Sequence, residues 1–98
     1  DVIEINEAFA AQVLAVMKCV QDKASARRCR LEEPLGEIDP AKLNARGGAI
    51  ALGHPVGATG ARLVLSALHQ LRDTRQRRAM VSLCVGGGQG GAAILECL

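Results

Sequence analysis

Two side chains in this sequence have the type and setting to move a proton beside a carbonyl. His54 stands between Gly53 and Pro55 in the stretch Gly47 to Gly60, GGAIALGHPVGATG, and Cys84 runs directly into the cluster Gly86, Gly87, Gly88, Gln89, Gly90, Gly91. Pro55 restricts the residue before it to extended backbone, so the imidazole of His54 has few places to go. Gly57 to Gly60 are expected to open a helix, which puts the histidine at a strand-to-helix junction, a setting suited to a base. Cys84 ends a strand beside a loop of backbone N–H groups, where a thiol can exchange a proton with a substrate and an oxyanion can be held. Each residue also has a plain structural explanation: a histidine in a tight turn, and a cysteine buried at the end of a core strand. Spacing alone leaves both open.

A third residue, Asn6, is explained fully as the N-cap of the helix that follows, with Glu7 in its first turn. A cap's amide can also orient a water. His69 falls on the polar stripe of a later helix and is expected to be solvated. Cys19, Cys29 and Cys97 have no motif around them and read as core or surface residues.

The elements that must position these groups follow from hydrophobic periodicity. Val2 to Ile5 alternate as a strand, and a helix runs from Glu7 to about Val20 with only Gln12 and Lys18 polar along its middle, a helix covered on nearly all sides. Gln21 to Asp39 shift to charged residues, Pro and Gly and read as a surface excursion. Pro40 to Leu43 make one helical turn capped by Asp39. Ala49 to Leu52 read as a short buried strand. The second long helix is amphipathic, with Ala61, Val64, Leu65, Leu68 and Leu71 on one face and Arg62, Ser66, His69 and Asp73 on another. Thr74 to Arg78 form a polar connection to a strand from Ala79 to Val85. Ala92 to Leu98 read as a last strand, paired with it as a hairpin across the glycine loop. The fold class is α/β: a mixed sheet with two packed helices and a C-terminal strand pair.

Composition narrows the function. At 98 residues the chain is one small domain with a modest core. It begins at Asp1 without an initiator methionine, and a strand that starts mid-pattern together with an over-apolar first helix reads as a piece of a longer protein. The net charge is +2 with a single aromatic residue, Phe9, which argues against nucleic-acid binding. Four cysteines without a CxxC pair suggest neither a metal site nor a disulfide framework, and fit a reducing compartment. No apolar run approaches the roughly 20 residues of a membrane span. Gly86, Gly88 and Gly91 match G-x-G-x-x-G, but a dinucleotide site needs a following helix and a distant acidic residue, and only seven residues remain.

Taken together, Asn6-Glu7-Ala8-Phe9, the Gly47 to Gly60 stretch, and Cys84-Val-Gly-Gly-Gly-Gln-Gly90 resemble the three C-terminal motifs of the thiolases, in the right order. The resemblance covers nearly the whole chain. It implies that residues 1–98 are an incomplete C-terminal thiolase domain, the N-terminal half with the nucleophilic cysteine lying before Asp1. It implies an acyl-CoA C-acyltransferase that cleaves 3-ketoacyl-CoA to acetyl-CoA and a shortened acyl-CoA, in fatty acid β-oxidation, or runs the reverse Claisen condensation. The histidine matching His54 activates the nucleophile, and the cysteine matching Cys84 protonates the acetyl-CoA enolate or removes the α-proton. His54 and a water held by Asn6 steady one oxyanion, the N–H of Gly86 helps with a second, and Phe9 lines the acyl pocket. Arg46 departs from the asparagine common in the family at that position and is read as tolerated variation.

The resemblance further implies coenzyme A as co-substrate with no permanently bound cofactor or metal. It implies a homodimer or homotetramer at full length, with room for a β-oxidation partner subunit. Bacterial cytosol is the expected compartment, with mitochondrion and peroxisome as alternatives. The isolated chain, lacking the nucleophile, is expected to be inactive. Two other readings compete: a decarboxylating condensing enzyme of the ketoacyl synthase type, and a non-catalytic acyl-CoA or lipid-binding module. Cys84 disfavours the first, since such enzymes need no base for a C–H proton. The proton-transfer set of Asn6, His54 and Cys84 disfavours the second.

Overall fold

The computed structural model describes all of residues 1–98. Its sheet has three strands: β1 (Val2–Ile5), β2 (Arg78–Gly86) and β3 (Gln89–Glu96). The centre is β2, parallel to β1 from Val2 opposite Ala79 to Ile5 opposite Ser82, and antiparallel to β3 from Arg78 opposite Glu96 to Cys84 opposite Gly90. A parallel pair requires a long crossover. Here the crossover carries α1 (Ala10–Cys19), α2 (Lys23–Arg28), a 3-10 turn (Pro40–Lys42), α3 (Ala49–Leu52) and α4 (Thr59–Thr74). The mixed sheet and the glycine-loop hairpin agree with the expected fold class.

The alternation of β1 divides the core between two helices. Val2 joins Ala79 and Val81 against Leu63, Ala67 and Leu71 of α4. Ile5, from the other face, packs with Val13 of α1 and with Ile38, and Ile3 and Met80 flank them. Period-two strands between two helices thus produce two small cores rather than one.

Several expected elements are corrected. Ala49–Leu52 is not a strand but one turn of helix, in which only Ala49 is buried. Four apolar residues carry no periodicity that separates strand from helix, and the first amides of this turn find carbonyl and carboxylate partners that hold it helical. The first helix starts at Ala10, with Phe9 as its N-cap, rather than at Glu7. Asn6 is not its cap: the Asn6 N–H extends the β1–β2 ladder to the carbonyl of Ser82 at 2.9 Å.

Nor is α1 covered on all sides, since Val13 is its single buried residue and Leu14 is 66% exposed. The excursion from Gln21 to Asp39 contains the short helix α2. Asp22 caps it, its carboxylate accepting from the Ser25 N–H at 2.7 Å and the Ser25 hydroxyl at 2.9 Å. That Asp-x-x-Ser pattern was the available signal. The 3-10 turn capped by Asp39 agrees with expectation.

On α4 the inward face is Leu63, Ala67, Gln70 and Leu71. It is rotated from the expected stripe: Leu65 and Leu68 are exposed, while Val64 is partly buried and Leu71 fully so. The rotation turns Arg62 and Gln70 toward the sheet, where both meet the buried carboxyl of Glu4. The Gln70 amide donates to Glu4 Oε1 at 2.7 Å, and the Arg62 guanidinium lies 3.7 Å from Oε2. A polar residue on β1 recruited polar residues on α4, which an apolar-stripe count does not register. The last strand also begins earlier than Ala92, at Gln89.

Candidate active site

Three chain segments converge near the C-terminal ends of β1 and β2. Asn6 is held there by the ladder itself, through its bond to Ser82. Its side chain is 2% exposed, yet neither Oδ1 nor Nδ2 has a partner within the chain. A buried amide normally finds partners, because leaving it unpaired costs about 1–3 kcal/mol. One placed so is suited to hold a water or a ligand atom.

Cys84 follows two residues after Ser82 on β2 and is exposed. It opens on a cleft of about 310 Å³ lined also by Ile5, Gln12, Val16, Ser82 and Gln89. The ladder slips between Cys84 and Gly86, and Gly86, Gly87 and Gly88 all have positive φ, which a side chain would resist. Gln12 adds a buried, unpartnered Oε1 on the same cleft. A larger apolar hollow of about 430 Å³ lies between α1 and α2, and neither His54 nor Cys84 lines it.

His54 comes from α3 and α4. A latch not anticipated from the sequence anchors its arm to β1. Asn44, in left-handed backbone at φ +47°, imitates a strand residue at the free edge of β1. Its Oδ1 accepts from Ile5 N–H and its Nδ2 donates to Ile5 C=O, both at 2.9 Å. The same Nδ2 donates to Glu7 Oε1 at 3.2 Å, and Glu7 Oε2 accepts the Ile50 N–H at 2.8 Å, capping α3. A Cβ on Gly48 would overlap the Glu7 carboxylate, so a side chain there would displace the group that caps α3. Gly53, at φ +91°, then ends α3 and turns the chain into His54.

The His54 ring is exposed, and its Nδ1 lies 2.5 Å from the hydroxyl of Thr59 in the first turn of α4. Gly60, beside it, faces Leu83 of β2. The N-terminus of α4 therefore sits at the end of β2 that carries Cys84, although the thiol opens on the α1 side of the sheet. Open α/β sheets place ligand chemistry at such strand ends.

The other expected positions are reported plainly. Phe9 is the N-cap of α1 and is 75% exposed, and it lines neither the Cys84 cleft nor the hollow between α1 and α2. Gly86 is exposed at the mouth of the hairpin. Arg46 pairs with Asp73 at 2.8 Å, an ion pair tying the approach to the latch to the last turn of α4. No group of histidine, cysteine and acidic residues is arranged to hold a metal ion. No helix is long and apolar enough to cross a membrane. Asn44, Thr59 and Gln12 join the site although no motif or spacing singles them out, and Glu7 enters as the partner of α3 rather than as a first-turn residue of α1.

One end of this α/β sheet thus carries the unpartnered amide of Asn6 and the exposed thiol of Cys84, with the N-terminus of α4 beside Leu83. The family model described as "Thiolase, C-terminal domain" matches residues 1–97, and the chain belongs to that family. It is 51% identical over 96 residues to "Beta-ketothiolase BktB" of Cupriavidus necator and, over the same number, to "Beta-ketoadipyl-CoA thiolase" of Acinetobacter baylyi. In each case 98% of this chain is covered and 20% of the relative. The fold superposes over its full length on the Bacillus anthracis acetyl-CoA acetyltransferase and on human mitochondrial 3-ketoacyl-CoA thiolase. Both superpositions have a TM-score of 0.76 and 41% identity, and cover 21% of the larger chain. The chain thus spans about one fifth of the length of the relatives it matches.

Proposed function

We propose that these 98 residues are the proton-transfer half of a thiolase active site, within a C-terminal domain completed by other segments of the full-length protein. The reaction is thiolysis of 3-ketoacyl-CoA to acetyl-CoA and a shortened acyl-CoA, in fatty acid β-oxidation, or the reverse condensation. A cysteine from outside this chain attacks the ketone after yielding its proton to His54. The bond between the α and β carbons breaks, the acyl group stays as a thioester, and the acetyl-CoA enolate takes a proton from Cys84. Coenzyme A, deprotonated by the Cys84 thiolate, attacks this thioester; the nucleophilic cysteine leaves, takes back its proton from His54, and the shortened acyl-CoA departs. His54 and a water on Asn6 hold one oxyanion, Gly86 N–H assists the other, and Phe9 borders the acyl group. The full-length protein works as a homodimer or homotetramer, in which Phe9 and the open face of α1 are covered.

The observation that carries this reading is Asn6: a buried amide with two unpartnered hydrogen-bonding atoms, on a residue whose backbone N–H bonds Ser82, two positions before the exposed Cys84. The test is substrate choice by the full-length protein. Acetoacetyl-CoA with CoA should yield acetyl-CoA, and malonyl thioesters should be inert. Decarboxylation of a malonyl thioester would favour the condensing-enzyme reading. Tight acyl-CoA binding without turnover would favour a binding module.

A further inference from the structure

We infer that Thr59 is a positioning residue that fixes the tautomer of His54, leaving Nε2 as the atom that takes the proton. The inference rests on the reading of His54 as the base. The Thr59 side chain is fully buried, so its hydroxyl cannot trade partners with solvent. Two groups lie within its reach: His54 Nδ1 at 2.5 Å and the carbonyl oxygen of Pro55 at 3.2 Å. A carbonyl can only accept. A hydroxyl has one proton to give and lone pairs to receive.

Bond counting then decides the arrangement. When Thr59 donates to Pro55 C=O, a helical hydroxyl bonding back four residues, its oxygen is free to accept from Nδ1–H, and both contacts are hydrogen bonds. When Thr59 donates to Nδ1 instead, the contact with Pro55 has no proton in it. The first arrangement keeps one more bond. It places the ring proton on Nδ1 and the lone pair on Nε2, which makes no hydrogen bond inside the chain and belongs to an exposed residue.

The consequence is chemical. As Nε2 takes a proton from a thiol, leaving a thiolate, the ring becomes an imidazolium while Nδ1–H keeps the same acceptor. Neutral and charged states use one hydrogen-bond pattern, so the transfer needs no turn of ring or hydroxyl. Second partners of this kind commonly set the tautomer of a working histidine. Pro55 C=O also accepts the N–H groups of Ala58 and Thr59, at 2.7 and 3.1 Å, so the hydroxyl shares that carbonyl as the longest of three contacts, a bifurcated arrangement common in a first helical turn, while Nδ1 has the hydroxyl as its single partner.

The experiment compares Thr59→Val, Thr59→Ser and His54→Asn in the full-length protein, reading kcat and KM for thiolysis of acetoacetyl-CoA. Thr59→Val keeps the shape and removes the hydroxyl, and should lower kcat about 10- to 100-fold with little change in KM. Thr59→Ser restores the hydroxyl and should recover most of the loss. Should the valine variant fail to fold, Thr59→Ala against Thr59→Ser carries the same comparison. A valine or alanine variant with the parent's kcat, or a folded serine variant no better than alanine, overturns the role of Thr59. His54→Asn with undiminished turnover would instead overturn the reading of His54.

Discussion

Glu7 of the first motif caps the helical turn that leads into His54 of the second: its Oε2 accepts the Ile50 N–H at 2.8 Å, while its Oε1 is held by Asn44 at 3.2 Å. The residue following Asn6 thereby places the histidine arm. Asn6 and His54 are set by one strand end, because Asn44 reads the backbone of Ile5 and then hands its remaining N–H to Glu7. The first two motifs are thus one mechanical unit.

Gly48→Ala tests that unit. A methyl group there would overlap the Glu7 carboxylate, which must withdraw or push α3 away from β1. Overpacking of this kind costs about 1–3 kcal/mol. Turnover should fall further than stability, since α3 carries His54. Urea unfolding and steady-state thiolysis measured together check this, and a variant with normal turnover would contradict the latch.

Asn6→Ala should separate function from stability. The side chain makes no hydrogen bond within the chain, so its removal sacrifices none. The expected change in unfolding free energy is within about 1 kcal/mol of zero, or in the stabilising direction, because an unpaired buried amide is itself unfavourable. Turnover should drop by at least an order of magnitude. A large loss of stability would show that Asn6 is a structural residue.

Glu4 gives the protein a pH dependence of defined sign. Burial pushes its carboxyl above the ordinary value of 4.5, outweighing the lowering by the Gln70 hydrogen bond and the Arg62 charge. Below that value both folded and unfolded chains hold the proton. As pH rises past it the unfolded chain ionises first, so stability declines until the folded carboxyl has ionised too. Asp22, lowered by bonds from Ser25, and Asp73, lowered by Arg46 and Arg72, act oppositely and only as pH falls below about 3.8. Urea midpoints from pH 4.5 upward should therefore decline in the parent and flatten in Glu4→Gln, which still accepts from Gln70. Equal slopes in the two proteins would contradict the assignment.

How far the sequence revealed this arrangement depends on the kind of signal. Period-two alternation in Val2–Ile5 and the glycine loop between β2 and β3 are local patterns, and the mixed sheet follows from them. The motif residues were legible for the same reason. Ala49–Leu52 reads as a strand from sequence because its helical state depends on a carboxylate from position 7, a tertiary contact with no local trace. The apolar stripe of α4 does not give its inward face, because Glu4 draws Arg62 and Gln70 inward and leaves Leu65 and Leu68 outside. Asn6 looked like a cap by position, and only the continued ladder to Ser82 shows that its amide is left free.

The central claim is that Cys84 carries the proton at the α-carbon of acetyl-CoA, and the direct measurement is hydrogen exchange at that carbon in deuterated water. The full-length parent should wash deuterium into acetyl-CoA, and Cys84→Ala should lose this exchange while its nucleophilic cysteine is still acylated by a 3-ketoacyl-CoA. Exchange at the parent's rate in Cys84→Ala would contradict the account.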